Sequence, residues 1–130
     1  MIESAFAILE VEDIGVALGF YRDGLGGRLT YRFPPEGQGE PVYVSLQVGR
    51  SELGIGLADG PRGHAAQAPF ALWFYVDDVD AVTGALAARG APVLEPPADQ
   101  PWGERVSLVA DPFGTRVRLG EASGTADVAT

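Results

Sequence analysis

The chain has 130 residues, 46% hydrophobic and 21% charged, the size and balance of one compact folding domain rather than a multidomain enzyme. It contains no cysteine and a single histidine, His64, so the side chains that hold zinc, haem, iron–sulfur and copper are nearly missing. Eighteen acidic against nine basic residues leave a formal charge of −9, which repels nucleic-acid phosphates and favours a neutral or cationic small partner.

The first residues, Met1-Ile2-Glu3-Ser4, lack the basic start and apolar stretch of a secretory leader, and no run approaches the roughly 20 apolar residues of a membrane span. A cytoplasmic protein without membrane or nucleic-acid partners is expected. Residues 5–11 read as a strand that runs into Asp13, a helix cap, after which Ile14, Ala17, Leu18, Tyr21 and Leu25 recur at helical spacing. Gly24, Gly26 and Gly27 stop that helix. Strands are expected at 28–33, 42–48 and 52–57, followed by a glycine- and proline-rich loop at 59–69 that contains His64. That setting, without a positioned carboxylate nearby, marks His64 as a linker residue rather than a catalytic one. Residues 71–76 form the next strand, and Asp77 or Asp78 caps a helix with the stripe Val79, Val82 and Leu86, closed at Gly90. Three more strands are expected at 92–94, 105–109 and 115–119, then a frayed tail over 121–130.

The two halves repeat. Val11-Glu12-Asp13-Ile14 returns as Val76-Asp77-Asp78-Val79, with Asp13 and Asp78 65 residues apart, half of the chain. The same shift carries Gly49, in Val48-Gly49-Arg50-Ser51, onto Gly114, in Asp111-Pro112-Phe113-Gly114. The expected fold is α+β: two tandem βαβββ modules, residues 1–58 and 70–120, forming a curved mixed sheet with a cleft and the helices on the outer face.

Alternation along each strand separates two faces. The helix-covered face takes Ala5, Ala7, Leu9 and Val11; Val42, Val44, Leu46 and Val48; Leu53, Ile55 and Leu57; Leu72, Phe74 and Val76; Val117 and Leu119. The other face is mixed, with Phe6, Ile8 and Glu10; Tyr43, Ser45 and Gln47; Glu52, Gly54 and Gly56; Trp73 and Tyr75; Arg116 and Arg118. An ordinary solvated sheet face is one explanation. Aromatics beside glycines favour another, a cleft for a flat or partly apolar ligand, since the rings supply stacking area and the glycines leave room.

Several motifs in order carry a family resemblance: Gly19-Phe20-Tyr21-Arg22-Asp23-Gly24-Leu25-Gly26, Tyr75-Val76-Asp77-Asp78-Val79-Asp80-Ala81, Trp102-Gly103-Glu104-Arg105, and Asp111-Pro112-Phe113-Gly114-Thr115-Arg116-Val117-Arg118-Leu119. Over roughly residues 4–120 the chain resembles the vicinal oxygen chelate superfamily, which includes glyoxalase I, extradiol dioxygenases and bleomycin-resistance proteins. The resemblance implies a divalent metal held by His, Gln or Glu on inward strand positions. Those positions fall here on Phe6, Ala71, Arg118 and the neighbourhood of Gly54, none of which supplies a metal donor. The pattern resembles the metal-free branch of bleomycin-resistance-like homodimers, which sequester a drug in clefts at the subunit interface.

The expected protein thus binds an aromatic or antibiotic-like small molecule, has no cofactor or metal, and forms a homodimer. The candidate ligand-binding residues are Phe6, Glu10, Tyr43, Gly54, Trp73, Tyr75, Trp102, Arg116 and Arg118. Trp73, Tyr75 and Phe6 would stack on the ligand, and Trp102 would cover it from a loop or else pack in the core. Glu10 is a candidate base or cation partner whose place near the strand end favours exposure, and Glu52 shares that ambiguity. The arginines suit an acidic or carbonyl group, while the net charge suits a cation. No catalytic residue is assigned. The alternative is a lyase, isomerase or dioxygenase-like enzyme using a cleft carboxylate or a non-standard metal site, and a third possibility is a cleft that serves only dimerisation. Gly24-Leu25-Gly26-Gly27 follows a helix instead of opening one, which excludes a nucleotide loop.

Overall fold

The computed structural model describes residues 1–59 and 70–121. His64, nearly all of the expected inter-module loop, and the expected tail beyond residue 121 lie outside the described residues. The chain divides into two compact units, Met1–Gly63 and His64–Thr130.

The first unit holds β1 (Ala7–Val11), α1 (Ile14–Leu18), a π-helical turn (Gly19–Gly24), β2 (Arg28–Phe33), β3 (Tyr43–Val48) and β4 (Ser51–Leu57). The second holds β5 (Leu72–Tyr75), α2 (Val79–Ala88), β6 (Val93–Asp99), β7 (Arg105–Ala110) and β8 (Arg116–Glu121). The sheet orders are β1-β4-β3-β2 and β5-β8-β7-β6. In each, the strand before the helix pairs parallel with the last strand and the remaining pairs are antiparallel. This is one βαβββ plan used twice in an α+β chain.

Local chemistry accounts for the repeat. Asp13 accepts a hydrogen bond from the Val16 amide and Asp78 from the Ala81 amide, each at 3.0 Å. Both satisfy an amide that the first helical turn leaves without an intrahelical acceptor. The Val79 amide also donates to Glu121 Oε1 at 2.9 Å, so the end of β8 helps to hold the start of α2. Gly49 and Gly114, the pair matched by the 65-residue shift, both have positive φ, +62° and +85°, a backbone state that costs glycine little. In the second turn the buried Asp111 carboxylate accepts from the Phe113 and Thr115 amides at 2.9 and 2.8 Å.

Alternation gives the core its side. Leu9, Val11, Val44, Leu46, Leu53 and Ile55 are buried in the first unit, and Val109, Val117 and Leu119 in the second. At about 1.5 to 3 kcal/mol for each large apolar side chain removed from water, this face is the main favourable term. Its margins are open: Ala5, Ala7, Val42 and Leu57 are exposed, and Leu72 and Phe74 on edge strand β5 are only half-buried. On the helix side of β7, Thr83 and Ser107 share a buried hydrogen bond of 2.8 Å, and Arg105 clamps Asp80 of α2 through bonds of 2.6 and 3.0 Å.

Two elements differ from the sequence expectation. The first helix leaves the α form at Gly19 and widens into the π turn, which puts Phe20 and Tyr21 both into the core with their rings edge to face at 4.8 Å. The strand expected at 92–94 extends to Asp99 through Pro96 and Pro97. It is the sheet's edge, and its pairing with β7 shifts register twice. Edge strands with bulges tolerate prolines because no inner ladder needs their amide.

Candidate functional site

The strand register defines the face of the second sheet turned away from α2. Trp73 lies opposite Arg118, which lies opposite Leu108; Tyr75 lies opposite Gly120, which lies opposite Val106. Continuing the alternation two residues back from Val106 reaches Glu104. Trp73 leans from its own register position onto Gly120: a Cβ there would meet three indole atoms at 2.9 to 3.1 Å. Without a side chain at Gly120 the indole lies against the strand backbone, yet Trp73 remains 39% exposed.

Beside it stands Tyr75, 46% exposed, with the two ring centroids 5.8 Å apart. The Tyr75 hydroxyl feels the Glu104 carboxylate on one side and the Trp73 indole on the other. Partial desolvation first, and then the Glu104 carboxylate, raise the Tyr75 pKa above the ordinary tyrosine value, while the Trp73 hydrogen bond opposes them. Trp102 is 59% exposed and donates its indole N–H to Glu104 Oε1 at 2.6 Å. Glu104, only 8% exposed, therefore joins Trp102 and Tyr75 from beneath. Three rings stay in reach of solvent.

Both arginines of this face are half-buried and engaged. Arg118 pairs with Glu95 at 3.4 Å, and Arg116 donates to the Phe70 carbonyl at 3.2 Å.

In the first sheet the corresponding face carries Ile8 opposite Gly54 and Ser45, and Glu10 opposite Gly56 and Tyr43. The half-buried Tyr43 leans over Gly54, where a Cβ would run into its hydroxyl, and its ring is 6.2 Å from Tyr31. Ser45 donates to Glu52 Oε1 at 2.6 Å. Phe6 and Ile8 are exposed, as are Tyr31 and Phe33 on β2. Glu10 is exposed.

Of the nine residues singled out from sequence, Trp73 and Tyr75 stand side by side and Trp102 is bonded to Glu104, which acts on Tyr75, while Arg116 and Arg118 share their sheet. Tyr43 and Gly54 make a separate pair in the first sheet, with Glu10 and Phe6 on the same strand face or just before it. Glu104 escaped the sequence reading. The signal was its spacing: it stands between Trp102 and Arg105, two residues before Val106, on the face that carries Tyr75.

The divalent-metal site implied by the family resemblance does not fit these residues. Its positions carry Phe6, Ala71, Arg118 and Gly54, with Arg118 held by Glu95 and Gly54 lying under Tyr43. Among the described residues no three His, Cys, Asp or Glu side chains gather as a ligand set.

The family model of the Glyoxalase/Bleomycin resistance protein/Dioxygenase superfamily matches residues 5–119. Among solved structures the chain is similar to TioX from Micromonospora sp. ML1, with a TM-score of 0.73 and 24% identity over 98% of this chain and 100% of that one. It is also similar to a glyoxalase-related enzyme from Fulvimarina pelagi, with a TM-score of 0.76 and 21% identity over 100% and 99% of the two chains. A protein of unknown function from Agrobacterium tumefaciens str. C58 gives a TM-score of 0.74 and 25% identity over 94% and 95%. No curated protein matches the sequence.

Proposed function

The chain belongs to the glyoxalase/bleomycin resistance protein/dioxygenase superfamily, and within it we propose a metal-free binding protein that sequesters a flat aromatic small molecule, an antibiotic or aromatic metabolite. One observation carries this: Trp73, Tyr75 and Trp102 remain exposed although Trp73 is seated on Gly120 with Tyr75 beside it and Trp102 is hydrogen-bonded to Glu104. Rings already ordered in the free protein lose little freedom on binding, which leaves more of the stacking energy as affinity. The reading extends to a cytoplasmic homodimer, with ligand held at the interface. Members of the superfamily often form dimers, and the exposed Phe6, Ile8, Tyr31 and Phe33 offer apolar surface for a second copy. No helix among the described residues is long and apolar enough to cross a membrane.

The chain's two tryptophans, Trp73 and Trp102, make intrinsic fluorescence a report on this face. Titration with a panel of planar aromatic compounds, antibiotics included, is expected to find a binder that quenches or shifts the emission. Trp73→Ala should weaken that binder at least fivefold, about 1 kcal/mol, with Trp102 as the remaining reporter. Unchanged affinity removes Trp73 from the site, and a panel with no binder overturns the reading.

A further inference from the structure

Glu104 is buried, and the side-chain donor bonded to it is neutral, the Trp102 indole N–H, with the neutral Tyr75 hydroxyl also acting on it. No arginine or lysine among the described residues forms an ion pair with it. The neighbouring arginines are committed elsewhere. Arg105, next in sequence, points to the helix side and binds Asp80 and Asp99. Arg118 pairs with Glu95, and its register partner Leu108 lies four residues along the strand from Glu104. A carboxylate has about four acceptor positions, and the Trp102 indole fills one of those on Glu104. A buried carboxylate with no counter-cation gains most when a cation is brought to it, and the faces of indole and phenol rings attract that same charge.

Resting on the proposed aromatic binding face, we infer that Glu104, with Trp73, Tyr75 and Trp102 around it, forms a subsite for a cationic nitrogen, so the ligand is an aromatic compound bearing a protonated or quaternary amine. Aryl acids are disfavoured there. Of the arginines, which from sequence suggested an acidic ligand, Arg118 is paired with Glu95 and Arg116 donates to the Phe70 carbonyl.

The test compares three probes of nearly equal shape by tryptophan fluorescence, each titrated to 10 mM: (4-hydroxyphenyl)trimethylammonium, its neutral isostere 4-tert-butylphenol, and 4-tert-butylbenzoate. The wild-type protein is expected to bind the cation at least tenfold more tightly than the neutral probe, and the anion most weakly. Glu104→Gln keeps an acceptor for Trp102 and Tyr75 but removes the charge, and should bring cation and neutral probe within about twofold of each other. A neutral probe that binds as well as the cation, or a cation preference that survives in E104Q, overturns the subsite and leaves the aromatic reading standing. Failure of all three probes to perturb either tryptophan overturns both. The wild-type comparison decides the matter even if the variant folds poorly.

Discussion

In both sheets an aromatic ring leans two residues along from its register partner and lies over a strand glycine, but the rings come from different strands. In the first sheet Tyr43 of β3 covers Gly54 of β4; in the second Trp73 of β5 covers Gly120 of β8. The two seats are not equivalent positions of the repeat, since by register Gly120 corresponds to Gly56 and Gly54 to Arg118; what they share is an absent Cβ beneath a ring. The change of strand alters what surrounds the ring. By register, the positions that carry Tyr75 and Glu104 in the second sheet carry Glu10 and Pro41 in the first. The carboxylate of the second sheet is thus buried under tryptophan and tyrosine donors, whereas Glu10 is exposed and the other carboxylate of that face, Glu52, is held by a serine. One backbone plan has produced two chemically unlike faces.

The shared framework can be broken first. Ile55→Ala in the first unit and Leu119→Ala in the second each empty a fully buried site, and each should cost about 2 to 5 kcal/mol in urea unfolding. A loss below 1 kcal/mol at either position would show that its sheet does not rest on that core face. The seats should then separate the units. Neither glycine has a positive φ, so alanine is allowed by the backbone and only the neighbouring side chains resist it. At Gly120 the methyl meets the body of the Trp73 indole, and Gly120→Ala should cost about 1 to 3 kcal/mol by overpacking and shift the Trp73 emission. At Gly54 it meets the outer edge of the Tyr43 ring, hydroxyl and Cε1, together with Ile8 Cγ1; the half-buried tyrosine can swing outward as the indole over Gly120 cannot, so Gly54→Ala should cost less than Gly120→Ala. Equal costs would end the distinction.

The smallest effect concerns the clamp on α2. The hydrogen bond from Arg105, and then its charge, hold the Asp80 carboxyl below its ordinary value. A lowered folded-state pKa adds stability above the unfolded value, near 3.9, and loses it as the pH falls through the folded value. Asp80→Asn should therefore lower the urea midpoint at pH 7 by less than Gly120→Ala does, since the pair is largely solvated. The difference from wild type should shrink as the pH falls below the unfolded value and vanish once it has passed the folded one. A difference that grows on acidification would refute the linkage.

Much of this architecture was legible in the residues. Asp13 and Asp78 announce both helices because a short acidic side chain before an apolar stripe has one obvious use. Alternation placed Trp73 and Tyr75 on one face and Leu119 in the core, since a strand's side chains have no other choice. The π turn after Leu18 was not legible, because local helical spacing does not register how two adjacent aromatics share a core. Pro96 and Pro97 concealed a strand, as only the sheet order reveals that β6 is an edge. Glu104 remained hidden because burial and hydrogen bonding depend on partners 2 and 29 positions away in the chain, Trp102 and Tyr75.

Local pattern by itself determined the two βαβββ modules, the caps and the core face, because each follows from periodicity or residue type within one segment. Only the tertiary structure decided which charges are available to a ligand. Ion pairing between strands neutralises Arg118 with Glu95, and the approach of Trp102 and Tyr75 buries Glu104 without a cation. Charge compensation is a property of neighbours in space, and a net charge of −9 says nothing of where it fails.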